Sequence, residues 1–180
     1  DNVFIDGKLG TRGFSPTPKT PGWAGGIHAW DVEAEGTMWS RNGYQSGNRD
    51  LAENFDTREV LEAGDVVSLD PDSCGILRCR RCRDPLVLGV ISSQPGVLLG
   101  ADPARRVPQP GEYPVALAGR VPCKVSGENG PIRRGDLLTS ATPPGHAMRA
   151  DANAAGTTIG KALEDFDGRT GIIDVFVFLR

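Results

Sequence analysis

"GDVVSL", residues 64–69, reads as a strand entry, and "GDLLTS", residues 135–140, repeats it. In each, a Gly-Asp turn leads into two aliphatic residues and then a hydroxyl. Gly64 is followed 25 residues later by Gly89 in "LVLGVIS". Gly135 is followed at the same interval of 25 by Gly160 in "TTIGKAL". The pattern predicts two similar β units in one barrel. Coincidence is the rival, because Gly-Asp turns before strands are common. If the echo is structural, Gly64 and Gly135 sit at positive φ, where a Cβ is costly. Asp65 and Asp136 then hydrogen-bond the turn backbone rather than act as acids.

The sequence around the echo has the same texture. "GVLLG" at 96–100, "YPVALAGRVPCKV" at 113–125 and "GIIDVFVFL" at 171–179 are short apolar runs bounded by Gly, Pro, Asp or Asn. Such runs mark an all-β barrel or sandwich. Helix is expected only as a single turn around "DLAENF", residues 50–55, and more weakly around "ADANAA", residues 150–155. The 180 residues include 24 Gly and 14 Pro, which also favours turns over long helices.

Residues 1–47 differ. They hold all three tryptophans, Trp23, Trp30 and Trp39, with few other large apolar residues. "IHAWDVEAEGTMW", residues 27–39, alternates with period two, as a strand does. So few apolar groups cannot bury a core alone. The reading is a β-structured stalk or trimerisation segment, 1–47, that packs against copies of itself in an intertwined homotrimer. It is followed by a compact barrel-like domain, 48–180.

Net charge is −3, so nothing global draws the chain to nucleic acid or an anionic membrane. No apolar run is long enough for a membrane helix. No signal peptide opens the sequence, and a first residue of Asp1 suits a fragment or processed product.

At the junction of the two regions stands "NRDLAENFD", residues 48–56. Asp50 and Glu53 are spaced i, i+3, which on a helical turn places both carboxylates on one face. Two carboxylates held close cannot both ionise, so one donates a proton while the other accepts. The Arg49–Asp50 bond would be the adjacent target. The competing reading is a capping box, with Asp50 as N-cap and Glu53 at the third helical position.

Other candidates are weaker. "CGILRCRRCRD" holds Cys74, Cys79 and Cys82, and Cys123 follows far along the chain. Four thiols allow a tetrahedral zinc site, a disulfide, or free thiols on a hairpin tip. Free thiols are favoured, because one Cys-x-x-Cys has no second pair facing it. Neighbouring Arg78, Arg80, Arg81 and Arg83 would raise thiol reactivity. His146 reads as a turn residue, and His28 lies in the Trp-rich segment. Ser92 and Ser93 precede a Pro-Gly turn. Arg105 and Arg106 read as solvated charge. No serine–histidine arrangement or phosphate loop is present, and no cofactor is expected.

Over residues 48–180 the chain resembles the C-terminal intramolecular-chaperone, self-cleaving domain of phage neck-appendage and tail-spike proteins and related bacterial surface proteins. The stretches that carry the resemblance are "GVISSQPGVLLG", "VALAGRVPCKV", "GPIRRGDLLTSATPPGHAM" and "IGKALE". That family opens on Asp-Tyr-Ala-Glu, is cut just before the Asp, and uses the Asp and Glu as its catalytic pair. Here the motif is Asp50-Leu51-Ala52-Glu53, preceded by Arg49 where the family often has Ser. The resemblance implies a trimeric cap of a fibre or spike that sets chain register and cuts itself at Arg49–Asp50. Its partners would be its own copies and an upstream stalk, and its place a virion tail or cell surface. The departures at Arg49 and Leu51 predict that cutting is slow or absent. The alternative is a non-cleaving structural or glycan-binding adhesin tip.

Overall fold

A computed structural model describes residues 46–100, 111–151 and 155–178. The described residues belong to one compact unit. The expectations for the Trp-rich segment, His28, Arg105 and Arg106, and residues 152–154 of "ADANAA", lie outside the described residues.

The described residues contain no helix and form an all-β fold. Ten strands follow one another: β1 (Asp50–Asp56), β2 (Val66–Leu69), β3 (Ile76–Arg78), β4 (Val87–Ile91), β5 (Val97–Leu99), β6 (Glu112–Ser126), β7 (Leu137–Ser140), β8 (Ala147–Arg149), β9 (Thr158–Ala162) and β10 (Thr170–Phe178). The helical turn expected over 50–55 is therefore a strand. β1 has an antiparallel partner in β6 and a parallel one in β5, and two ladders outweigh the local capping pattern.

The spine is β6, 15 residues long. Its first half pairs with β1 and β4, and its second half with β10 and β8. Ala118 and Gly119 face both β1 and β10, so those two strands lie on opposite edges of β6. The circuit β6–β10–β9–β7–β8 returns to β6 and closes a five-stranded barrel. Val121, Cys123 and Val125 of β6 pack inside with Leu138, Ile159 and Val175. A second cluster, built on Leu61, Val67, Ile76, Ile91 and Val115, lies where β2, β3 and β4 meet the first half of β6.

The echo is structural. Val66, Val67 and Ser68 face Val90, Gly89 and Val87, with a register shift after Val67. Leu137, Leu138 and Thr139 face Lys161, Gly160 and Thr158, with the shift after Leu138. Every one of these residues has its counterpart 71 positions on. The hairpins agree too: Val67 faces Arg78 and Leu138 faces Arg149. So do the turns. Gly64 N–H donates to the Ile91 carbonyl at 2.9 Å, and Gly135 N–H to that of Ala162 at 2.8 Å. Both glycines have positive φ, +85° and +92°. Asp65 accepts the Glu62 N–H at 2.9 Å, and Asp136 the Arg133 N–H at 2.8 Å. One three-strand unit is used twice, down to its bulge.

The two mid-strand glycines have another cause. A Cβ on Gly89 would come within 2.5 Å of the Ala116 carbonyl oxygen. On Gly160 it would overlap the Phe176 carbonyl oxygen and lie 3.0 Å from Val177 Cα. Backbone cannot swing aside as a side chain can. Gly160→Ala is therefore expected to cost about 3 kcal/mol by forcing β9 from β10. Gly135→Val, with open space but positive φ, should cost about 1–3 kcal/mol through strain. Thermal melts of the two variants check both values. An unchanged melt for Gly160→Ala would mean that the strands can separate freely there.

Candidate active site

The Arg49–Asp50 bond lies where the chain enters β1. It is held between two glycines. On one side, Gly96 N–H donates to the Asp50 carbonyl at 2.8 Å. A Cβ on Gly96 would stand 2.8 Å from the Asn48 carbonyl oxygen and 3.1 Å from that of Asp50. On the other side, Gly119 has φ +113°, and a Cβ there would overlap the Arg49 carbonyl oxygen and lie 2.7 Å from Asp50 Cα. Neither position tolerates a side chain without moving this segment. The Arg49 carbonyl in turn accepts the backbone N–H of Arg120 at 3.2 Å.

A cleft of about 300 Å³ opens beside this bond. Arg49, Asp50, Ser92, Gln94, Arg120 and Asp174 are among the residues lining it. Asp50 itself is buried, and its Oδ2 has no hydrogen-bond partner among the described residues. Asn54 Oδ1, four residues along the same strand, is also buried without a partner. Burying an oxygen that could otherwise be hydrated carries a cost, so each orphan marks a position under another constraint.

Glu53 is not beside Asp50. Because β1 is a strand, residues three apart point to opposite faces and lie roughly 10 Å apart along it. The single-face arrangement expected for a helical turn is thus corrected. Asp50, Ala52 and Asn54 form one row, and Leu51, Glu53 and Phe55 the other. Leu51 pairs with Val97 and Glu53 with Leu99 in the parallel β1–β5 ladder. That places Leu51, Glu53, Val97 and Leu99 on one face, where Leu51, Val97 and Leu99 are 36%, 42% and 45% exposed. Glu53 therefore stands half-buried, between these exposed apolar residues and the fully buried Val115 that faces it on β6.

A second cleft, about 560 Å³, lies among Asp56, Arg58, Asp70, Asp72 and Ser73. Of its three aspartates, Asp70 is already engaged. Asp70 accepts the Asp72 N–H at 3.0 Å, Arg58 at 2.6 Å and the Ser73 hydroxyl at 2.9 Å. The Asp72 amide, then Arg58 and Ser73, hold its carboxyl below the usual aspartate range. A carboxylate so tied is a turn anchor rather than a base.

The four thiols do not converge. Cys74 is exposed, Cys82 half-buried, and Cys79 and Cys123 buried. No group of three or more potential metal ligands occurs among the described residues. The zinc alternative drawn from Cys74, Cys79, Cys82 and Cys123 finds no such grouping: Cys79 and Cys123 lie together in the first core cluster, whereas Cys74 is exposed and Cys82 half-buried. Burial pushes the Cys79 thiol up and that of Cys123 up to about 12, so the neighbouring arginines do not activate those two. His146 Nδ1 lies 2.8 Å from the Pro144 carbonyl, a turn contact as expected.

Sequence reading missed Gly96, Gly119, Arg120 and Asp174. "GVISSQPGVLLG" and "VALAGRVPCKV" contain the first three, but nothing local says that these two stretches clasp residue 50.

No protein-family profile matches the chain, and no curated protein matches it. Among solved structures it is similar to the bacteriophage phi29 gene product 12 C-terminal fragment, with a TM-score of 0.52 at 17% identity. That match covers 71% of this chain and 99% of the fragment. It is also similar to the pre-mature bacteriophage phi29 gene product 12, with a TM-score of 0.51 at 18% identity. Here 87% of this chain is covered, but only 23% of that protein's length. At these identities the likeness is one of fold, and the fold is that of a bacteriophage protein's C-terminal region.

Proposed function

We propose that this chain is the C-terminal cap of a phage-like appendage, that it assembles as a homotrimer, and that it cuts itself at Arg49–Asp50. The observation that carries the reading is Asp50: a buried carboxylate with an orphaned oxygen, beside a peptide bond clasped by two glycines and open to a cleft. The fold is shared with a phage protein known in a pre-mature form, which is consistent with a processing step. Cutting would free the barrel from whatever precedes it once the chains are in register.

The trimer supplies what one chain lacks. Glu53 points away from Asp50, so in this reading the acid–base partner of Asp50 is Glu53 of a neighbouring copy. The exposed patch of Leu51, Val97 and Leu99 around Glu53 suits burial against such a copy. A compact trimeric head would also raise the effective concentration of three stalk ends and speed their registration.

The test is the mass of the purified full chain, native and denatured, followed over days. Three-chain assemblies and a denatured piece beginning at Asp50 are the expected result. A trimer whose chains stay whole would leave a permanent structural cap. A monomer at micromolar concentration would overturn the assembly reading.

A further inference from the structure

We infer that the backbone amide of Arg120 is the electrophilic group of this site, and that Gly119 is the residue that positions it. The inference rests on the cleavage reading above. In hydrolysis, a water oxygen attacks the Arg49 carbonyl carbon and the bond to the Asp50 nitrogen breaks. One water proton passes by way of a carboxylate to the departing amine. Arg49 becomes a carboxylate terminus and Asp50 a free α-amino terminus. During the attack, negative charge gathers on the Arg49 carbonyl oxygen, and the site must stabilise it.

Among the described residues, Arg120 N–H is the donor to that oxygen, at 3.2 Å. It belongs to the central strand of the fold, so it is fixed before the reaction and needs no reorganisation. Such preorganised donors are what tetrahedral intermediates require, and they act best at about 2.7–3.1 Å from the developing oxyanion. Growing charge draws the present contact into that range. Gly119 makes the approach feasible. Its φ of +113° and missing Cβ let the Arg49 carbonyl lie directly on β6. Gly96 presses from the far side through its N–H to the Asp50 carbonyl, so the bond cannot retreat. The neighbouring cleft leaves room for the attacking water.

The edge of β6 allows a clean deletion. Pro122 already occupies the same edge two residues on, so that edge accommodates a residue without an N–H. Arg120→Pro removes the donor, whereas Arg120→Ala keeps the amide and removes only the side chain. In the full chain, Arg120→Ala measures what the side chain in the cleft wall contributes, and cutting in it should remain well above that in Arg120→Pro. Arg120→Pro should lose roughly 100-fold or more, the scale of one deleted oxyanion donor. Gly119→Ala is the second variant, expected to lose as much by displacing the carbonyl. Melts and native mass are read beside every rate. If Arg120→Pro or Gly119→Ala is folded, trimeric and cut at the parental rate, the inference is overturned. If Arg120→Ala is as slow as Arg120→Pro, the side chain and not the amide is responsible, and the inference is again overturned. A parent chain that is never cut overturns the cleavage reading itself, and this role with it.

Discussion

Mixed assemblies of two inactive chains should cut. Chains carrying Asp50→Ala should stay whole alone, and so should chains carrying Glu53→Gln. Co-expressed and co-assembled, the Glu53→Gln chain should be cut before Asp50, while the Asp50→Ala chain stays intact. The reason is the pleat. Within one chain, Asp50 and Glu53 lie on opposite faces of β1, so a pair can form only across copies. In the mixture, the Glu53→Gln chain offers an intact Arg49–Asp50 bond with its Asp50, and the Asp50→Ala chain supplies the missing glutamate. Loss of a general acid or base typically costs 10²–10⁴ in rate, so each variant alone should be silent on the timescale of the parent. Mass spectrometry of the mixture, with one chain tagged, distinguishes the outcomes. If the parent is cut and the mixture is not, the pair acts within one chain and β1 must rearrange to bring it together. If Glu53→Gln is cut by itself, Glu53 has no part in the chemistry. Glu53→Gln should leave the melt unchanged, since the side chain keeps its shape and makes no hydrogen bond or ion pair among the described residues.

The second large effect separates the two copies of the repeat. Asp65 and Asp136 hold equivalent turns, yet Asp65→Asn should cost about 2–3 kcal/mol and Asp136→Asn less than about 1 kcal/mol. Asp136 is half-buried and accepts one backbone N–H. An amide oxygen can replace that bond. Asp65 has a side chain only 1% exposed, and two cations converge on it. Arg78 lies 2.9 Å from one oxygen and Lys124 2.7 Å from the other, both beside the turn that Asp65 caps. Removing its charge leaves two partly buried cations without their shared anion. Lys124 keeps Glu62 at 2.5 Å, and both cations are 18–25% exposed, which tempers the loss below that of a fully buried pair. Thermal melts decide the matter. Equal shifts for the two variants would mean that the ion cluster contributes nothing beyond the turn. A change in cutting with an unchanged melt would move Asp65 from the structural set to the chemical one.

The repeat itself shows how much was legible. "GDVVSL" and "GDLLTS" announce their turns because Gly and Asp are dictated locally: φ is positive, and a short carboxylate reaches the backbone two or three residues away. The matching glycines, Gly89 and Gly160, were visible as a period, though not their reason. Each is a glycine because another strand's carbonyl presses on it, and that strand comes from elsewhere in the chain.

The candidate site divides in the same way. Asp50, Glu53 and the bond before Asp50 could be named from a nine-residue stretch and a family resemblance. Their arrangement could not. The i, i+3 spacing fits a helical turn as well as a strand, and local propensity favours the capping box. Pairing with β5 and β6 decided for the strand, since two ladders satisfy more backbone groups than one isolated turn, and so set the two carboxylates on opposite faces. What the sequence alone determined is an all-β chain with two like units and an acidic pair at the entrance. What only the tertiary structure decided is which glycines clasp the bond, which amide meets its carbonyl and which acid lacks a partner. Those depend on contacts between residues some 45 to 70 positions apart, brought together by strand pairing rather than by neighbouring sequence.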